Sequence, residues 1–600
     1  MYLKINRVKD KKTGMARGYL RIMESYRERG KSKKRIIANL GRVDLIPKEQ
    51  LLRLSKSLAR YAGEEVYTDS EFQANESFIF GPVIIIKKIW EELNIGEIID
   101  NICKKEEISE RAFVLTCCRL LSPQSEHGLS YFLKEYYVCD KSGKRWEPEF
   151  RHDIVERLYA TCGRDRVKVE WKKLKRWYRA LDKLIENKEK IEQDIYKNIK
   201  NLFSLKINIV FYDLTSTYFE GQGPKNIAKF GYSRDGKKNN KQILLGIVLA
   251  DGLPIAHHVF SGNRQDKTTL EEVIKDLGER FDLKNIIFVA DKGINTQNNI
   301  KKLNKLGYKY ILGVSLRNCN KASEVLKQSS NLKWEKYNKG VKYVEVEIEG
   351  ERWILVDSEE KREYEKKMKD VWIEKGAKEL QELKERVKSG KLKDEKKIAY
   401  YLGSKQKKYH IKRYFDWEIK KGKFRFWKSQ EKLEDEERYE GKYLLRTTDN
   451  NLSQEDVIRE YKNLWEVESC FREIKDFIKV RPIFHKTDER TKAHIFVAVI
   501  AYLVEKVIQR RIRWTGMRIT HHDALEFSKS VKVVELDVGK DILKLVTQKI
   551  DKITEEIFNL FGIRLPRSFK EESLDVFTKN VCIQREYFIK NTKMWGPNKF

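Results

Sequence analysis

No Cys-x-x-Cys pair occurs among the eight cysteines of this 600-residue chain, and no histidine cluster accompanies them at zinc-finger spacing. Structural zinc is therefore not expected, and scattered cysteines fit a reduced, intracellular protein. Long apolar runs are missing too. The longest, Ile495 to Val504, is too short to span a bilayer, as are lesser runs such as Val83 to Ile86. Met1 is followed by Tyr-Leu-Lys-Ile-Asn-Arg, which lacks the apolar core of a signal peptide. The expectation is a soluble, cytoplasmic protein with no membrane partner. Phosphate-cradling glycine loops are also wanting, since Gly221-Gln-Gly-Pro reads as a turn.

Positive charge is abundant. Lys and Arg number 124 against 91 Asp and Glu, a formal net charge of +33, which favours polyanionic partners without specifying a fold. The excess is uneven: the first sixty residues hold eighteen Lys/Arg and five Asp/Glu. Six hundred residues exceed one core, so several domains are expected.

Residues 1–65 read as a basic β-hairpin region. Gly18 to Tyr26 and Ser32 to Leu40 alternate polar and apolar side chains about a Gly-Lys turn. Residues 66–202 read as a helical DNA-binding region, with apolar residues at helical spacing and little Pro or Gly. Within it, the basic aromatic stretch 171–179 suits a solvated amphipathic face as well as a DNA-facing one. From 203 to 317 the pattern becomes strand, strand, strand, helix, strand, helix, strand, a mixed α/β sheet. Residues 318–442 read as a β-rich insertion with charged helices. Residues 443–515 restore the α/β pattern, and 516–600 read as a helical C-terminal region.

Three acids stand out. Asp213 closes the apolar run 207–212, Asp291 closes 286–290, and Glu468 lies on a helix read as continuous from 454 to 478. A lone Asp after a strand is ordinarily a cap, and one Glu beside Glu466 and Glu473 is ordinarily a solvated helix acid. Together, carboxylates at adjacent strand ends and one from a crossing helix can hold two divalent ions ~3.5–4 Å apart for in-line phosphoryl transfer. An oxygen-only ligand set favours Mg²⁺, with Mn²⁺ as its substitute. Six cations, Lys225, Lys229, Arg234, Lys237, Lys238 and Lys241, follow Asp213 and suit contact with a DNA backbone. His257 and His258 are neighbours on a strand, so they face opposite sides and cannot chelate one ion; packing or hydrogen bonding is expected of them. The five tryptophans of the insertion, Trp334, Trp353, Trp372, Trp417 and Trp427, are more often core than base-stacking platforms.

The order of elements is ribonuclease H-like, and the chain resembles a DDE transposase of a bacterial insertion sequence. The nearest likeness is to the insertion-sequence-four type, which carries a β-rich insertion before its catalytic glutamate. The matching words are Phe211-Tyr-Asp213-Leu-Thr-Ser-Thr-Tyr-Phe-Glu, Gly262-Asn-Arg-Gln-Asp-Lys-Thr-Thr and Val289-Ala-Asp291-Lys-Gly. The helix containing Glu468 and the stretch beginning Arg481-Pro-Ile-Phe-His follow. The likeness spans about residues 205–504. It implies that Asp213, Asp291 and Glu468 are the catalytic, metal-holding acids, and that the enzyme cuts element ends and joins the 3′-hydroxyl to target DNA. The partners implied are double-stranded DNA, as terminal inverted repeats and target, and a second copy on paired ends, in a bacterial or archaeal cell.

The family's glutamate-helix signature is Tyr, two residues, Arg, three residues, Glu, six residues, Lys. Tyr461, Glu468 and Lys475 fall on it, but Leu464 stands where the arginine belongs. Seven-residue steps keep the three on one face of a continuous helix, where Tyr461 and Lys475 would contact phosphates. Arg472, one turn past Glu468, is the candidate replacement cation. On this reading Leu464→Arg is tolerated and Lys475 is an exposed side chain of little weight in stability; the alternative is that Leu464 is a packed core residue, the helix is rotated relative to the family, and Leu464→Arg buries an unpaired charge. A catalytically inactive DNA-binding derivative and a nuclease that cuts without joining are the alternatives.

Overall fold

The structure is a computed structural model that describes residues 1–9, 11, 14–63, 73–148, 164–205, 207–283, 286–317, 319–406, 408–420, 422–537, 542–547 and 550–565. The helical readings of 66–72, 149–163 and 566–600 lie outside these residues. The chain divides into two compact units, one of residues 1–78 with 532–548, the other of 79–531 with 549–565.

In the first unit, β1 (Tyr2–Lys9), β2 (Ala16–Glu28) and β3 (Lys31–Arg42) form an antiparallel sheet in that order. The expected hairpin is β2–β3, and β1 adds a strand the sequence reading had not assigned. Arg29 and Gly30 both have positive φ, 48° and 76°, the two-residue turn whose twist suits a hairpin. Most of β1 and the tip of the hairpin, including Lys31, Lys33 and Lys34, is exposed. β4 (Gln73–Ile79) lies in a second small sheet with strands Lys532–Asp537 and Ile542–Val546.

The second unit is built on a nine-stranded mixed sheet. Its strands are β5 (Ile209–Tyr218), β6 (Gln242–Ala250), β7 (Leu253–Ser261), β8 (Ile287–Ala290), β9 (Lys309–Val314), β10 (Glu335–Asn338), β11 (Val341–Ile348), β12 (Glu351–Ser358) and β15 (Lys442–Thr447). The order is β10-β11-β12-β15-β9-β8-β5-β6-β7, and β5, β8 and β9 run parallel. Parallel neighbours need crossovers, and helices Leu270–Phe281 and Gln297–Lys305 supply the links from β7 to β8 and from β8 to β9. Both faces of the sheet are covered, and β6 is buried along its whole length, which explains its unbroken run of apolar residues. One face packs Val457, Val467, Phe471, Ile495 and Tyr502 from later helices; the other packs Val273, Leu277, Ile300 and Leu303.

The stretch 318–442 divides differently from the sequence reading. β10, β11 and β12 extend the main sheet instead of forming a separate β-rich body. What protrudes is mainly helical: Glu359–Lys388, Glu395–Gln406 and Gln430–Glu437, with the hairpin β13 (Phe415–Lys420) and β14 (Lys423–Lys428). These pieces have their own core of Leu380, Leu383, Ile398, Leu402, Phe415 and Phe424. The helices between 81 and 202 are likewise part of the second unit. Three of them, Gly81–Glu92, Glu106–Leu121 and Arg164–Glu186, pack on the buried helix Asp488–Trp514, with Arg490 Nε 3.0 Å from Asp182 Oδ1. Among the described residues no helix is long and apolar enough to cross a membrane.

Candidate active site

Pairing of β5 with β8 sets the first half of the site. The parallel register runs from Ile209 opposite Ile287 to Tyr212 opposite Ala290. The next residues along the two chains are Asp213, within β5, and Asp291, just past β8, so the two acids stand side by side where β8 ends. Contrary to the sequence expectation, Asp213 does not end its strand. β5 continues to Tyr218 in pairing with β6, its last carbonyl also accepting from the Ile483 N–H at 3.1 Å, because Leu214-Thr-Ser-Thr-Tyr keeps strand chemistry after β8 has stopped. Asp291 does follow the last residue of β8.

The second half comes from the glutamate helix, which is not continuous. Helix Gln454–Lys462 stops, Trp465–Arg472 begins with Leu464 as its N-cap, and Glu473–Phe477 forms a π turn. The even seven-residue stepping therefore does not carry through, yet three side chains converge on the strand ends. Tyr461 donates its hydroxyl hydrogen to Asp291 Oδ1 at 3.1 Å. Glu468 is exposed on the same segment. Lys475 Nζ donates to Thr215 Oγ1 at 2.6 Å, two residues beyond Asp213 on the same face of β5.

The acids sense one another. Burial first, then the charges of Asp291 and Glu468, push the Asp213 carboxyl up to about 7, against the lowering effects of the Leu214 backbone and Arg234. Burial and the neighbouring Asp291 and Glu468 also hold the Tyr461 phenol protonated, well above its ordinary value. A buried carboxyl such as Asp213, held protonated beside other carboxylates, is matched to a cation. Glycine is needed nearby, because a Cβ on Gly313 in β9 would stand 2.4 Å from the Tyr461 hydroxyl.

Several site residues differ from expectation. Leu464 is buried, and with Val467, Phe471, Ile474 and Ile478 it makes an apolar stripe into the core. A cation there is not missing from a phosphate-facing surface, so the tolerance expected of Leu464→Arg is withdrawn. Lys475 is not exposed either: its side chain is 10% accessible and its ammonium also lies 2.8 Å from Asp235 Oδ1. Burial draws its pKa below the usual lysine range although Asp235 pulls it back up. Asp235 also meets Arg481 Nη1 at 2.5 Å, so a buried Lys475–Asp235–Arg481 linkage pins the 219–241 loop to the π turn. Sequence reading missed Asp235, Arg481 and Gly313 because their importance lies in partners far along the chain.

The candidate cations differ in setting. Arg472 is exposed at the end of its helix, and Lys237 and Lys238 are exposed on the loop. Lys237 Nζ sits 5.7 Å from the Tyr218 ring centre, and Lys241 donates to Gln222 Oε1. His257 is buried with Nδ1 2.5 Å from Glu192 Oε1, and burial lowers it to about 4, as a hydrogen-bonded core histidine. His258 lies beside Asp276 at 3.3 Å. Trp353 is buried in the sheet core, Trp334, Trp372 and Trp417 pack on core clusters, and Trp427 is exposed. On the helix Arg164–Glu186, Leu174 and Trp177 point inward while Lys172, Lys175 and Arg179 are exposed.

Residues 205–504 match the family described as Transposase DDE domain, and residues 5–71 match the N-terminal domain of IS1634 family transposases. No curated protein sequence matches the chain. Among solved structures, the piggyBac transposase synaptic complex with hairpin DNA is similar at 10% identity and a TM-score of 0.33, over 88% of this chain and 89% of that one. The Mos1 transposase paired-end complex with left transposon end is similar at 14% identity and a TM-score of 0.13, over 29% of this chain and 61% of that one. A pre-cleavage Mos1 transpososome gives 12% identity and a TM-score of 0.13, over 34% and 77%. With half its length matched by the catalytic domain and its beginning by the N-terminal domain, the chain belongs to the DDE transposases of bacterial insertion sequences.

Proposed function

We propose that Asp213, Asp291 and Glu468 are the catalytic acids of a transposase that cleaves insertion-sequence ends and joins them to target DNA. The observation that carries this reading is the β5–β8 register, which sets Asp213 beside Asp291, together with the electrostatic reach of Glu468 to Asp213. The surrounding strand order and the parallel β5–β8–β9 core support a ribonuclease H-like fold.

The donor set fits Mg²⁺, with Mn²⁺ in its place, because all three groups are carboxylates, and burial with the charges of Asp291 and Glu468 raises the Asp213 carboxyl in a way a bound cation would reverse. A pair of such ions held by the three acids would supply charge neutralisation and nucleophile activation for in-line phosphoryl transfer. The chain's own groups do the positioning. Tyr461 holds one oxygen of Asp291, leaving the other free to turn toward substrate. Lys475 fixes the π turn against β5, so the segment carrying Glu468 is tied at both sides of the glutamate. Lys237, Lys238 and Arg472, exposed around this face, suit phosphate contacts along the duplex. Two copies acting on paired element ends complete the reading.

The test uses DNA carrying the element's terminal repeats, with Mg²⁺ or Mn²⁺. Asp213→Asn, Asp291→Asn and Glu468→Gln should each abolish cleavage and joining while end binding persists, since each removes charge but little volume. Joining activity retained by any one of them removes that residue from the site. Release of cut ends without joined product by the wild-type protein would favour a nuclease without strand transfer.

A further inference from the structure

A group of four side chains outside the catalytic acids has the chemistry of a metal site. Glu473 opens the π turn that follows the Glu468 helix, Glu505 lies within the helix Asp488–Trp514, and His521 and His522 open the helix His521–Ser528. One ligand atom from each can be chosen so that all four lie within 4.8 Å of one another. The pair His521 Nε2 and Glu505 Oε1 are 2.6 Å apart, and His522 Nε2 and Glu473 Oε2 are 3.6 Å apart. The side chains of Glu505 and His521 are 3% and 5% accessible, so both are built into the interior.

The orientation of these groups is the decisive feature. Glu505 Oε1, both ring nitrogens of His521, His522 Nε2 and Glu473 Oε2 are buried without a hydrogen-bond partner. Buried polar atoms are ordinarily satisfied, and a cluster of orphans requires a cause. His521 and Glu505 come within bonding distance yet fail the hydrogen-bond geometry, as when lone pairs aim at a shared third point. Ligands of a tetrahedral zinc ion with bonds of ~2.0–2.2 Å stand ~3.3–3.6 Å apart; the His522–Glu473 spacing of 3.6 Å matches this, while the His521–Glu505 pair at 2.6 Å would open on binding. Two carboxylates and two neutral imidazoles would also cancel the charge of one divalent ion, leaving a neutral interior cluster.

A second His/Glu group, Glu126, His485 and His494, shows the contrast. There Arg119 Nη2 stands 3.0 Å from His494 Nδ1 and 3.8 Å from Glu126 Oε1, so a guanidinium already serves as the cation. Among the described residues no guanidinium pairs with the four-residue group; burial raises the Glu473 carboxyl, and His522, His521 and then Lys506 draw it below its ordinary value. The local frame is rigid. Thr520 and Asp523 form a capping box that fixes the first turn bearing both histidines, and Phe477 of the π turn stacks on His522 at 4.0 Å. His522 is the more accessible ligand, at 38%, and offers an entry path.

We propose that Glu473, Glu505, His521 and His522 form a structural site for one divalent transition ion, zinc in the first instance, which ties the turn after the Glu468 helix to two later helices. Imidazole with carboxylate suits zinc, whereas the all-carboxylate catalytic set suits magnesium. The ligands are spread over three elements, with only the two histidines adjacent, so cysteine and histidine spacing could not reveal them.

The test starts from the full chain carrying Asp213→Asn, Asp291→Asn and Glu468→Gln, so that its outcome does not depend on the catalytic assignment. After removal of free metal, it should retain one zinc per chain by elemental analysis. Co²⁺ added to the stripped protein should give the visible absorption bands of a tetrahedral site, and Zn²⁺ should abolish them. Zinc should raise the melting temperature and slow hydrogen exchange across 465–478. His521→Ala and Glu505→Gln should lose all these responses. Should those variants fold poorly, His522→Ala, on the most accessible ligand, should weaken zinc binding at least about tenfold. Substoichiometric zinc with no cobalt spectrum would overturn the proposal, leaving two buried ion pairs. Undiminished zinc binding by His522→Ala and Glu505→Gln would overturn it as well.

Discussion

Leu464→Arg tests where the glutamate helix points. The family signature would place an arginine there, toward phosphate, whereas the structure places Leu464 in the apolar stripe with Val467, Phe471, Ile474 and Ile478. Losing the leucine's burial costs about 2 kcal/mol. Stranding an unpaired guanidinium among those side chains adds about 3–5 kcal/mol. A domain of 150–250 residues melts roughly 2–4 °C lower per kcal/mol, which makes about 5–7 kcal/mol a fall of roughly 10–28 °C at that size, and a smaller one in the larger unit that holds Leu464. Leu464→Met, which conserves volume, should cost less than about 1.5 kcal/mol and serves as the control. Differential scanning fluorimetry on the full chain reads both, with DNA affinity measured in parallel. A melting temperature unchanged within error, with tighter DNA binding, would refute the reasoning and return residue 464 to the phosphate-facing surface.

Other outcomes follow from the same geometry. Lys475→Ala should destabilise the protein by about 1–3 kcal/mol, because Asp235 keeps only Arg481 as a close cation; chemical denaturation measures this, and a loss confined to DNA affinity would contradict the buried linkage. Gly313→Ala should displace the Tyr461 hydroxyl from Asp291 and lower strand transfer while circular dichroism stays unchanged; full activity would show that Tyr461 does not orient the acid. Asp213 has a raised pKa, so in the metal-free protein its cost is absent near pH 4 and grows as pH rises toward 7. Asp213→Asn should therefore raise the melting temperature of metal-free protein at pH 8 but not at pH 4, and an equal shift at both would exclude titration as the cause. On the exposed hairpin tip, Lys31→Ala with Lys34→Ala should flatten the slope of log affinity against log salt by about 2 if each contacts a phosphate. An unchanged slope would remove that tip from the DNA interface.

The sequence by itself determined much of this protein. Apolar runs ending in Asp213 and Asp291, and the words around them, were enough to locate the strands, the mixed sheet and the family, because strand alternation and acid placement are local properties. The N-terminal hairpin was legible for the same reason, through alternation about a Gly-Lys turn. Tertiary structure decided what depends on distant partners. Only strand pairing could show that β5 runs past Asp213 or that β10–β12 join the main sheet, since hydrogen-bond partners are absent from a one-dimensional pattern. Only packing could turn Leu464 inward and bury Lys475 against Asp235, 240 residues away. The same limit concealed Glu473, Glu505, His521 and His522. Their side chains meet because three helical segments cross, and chain spacing does not record a crossing.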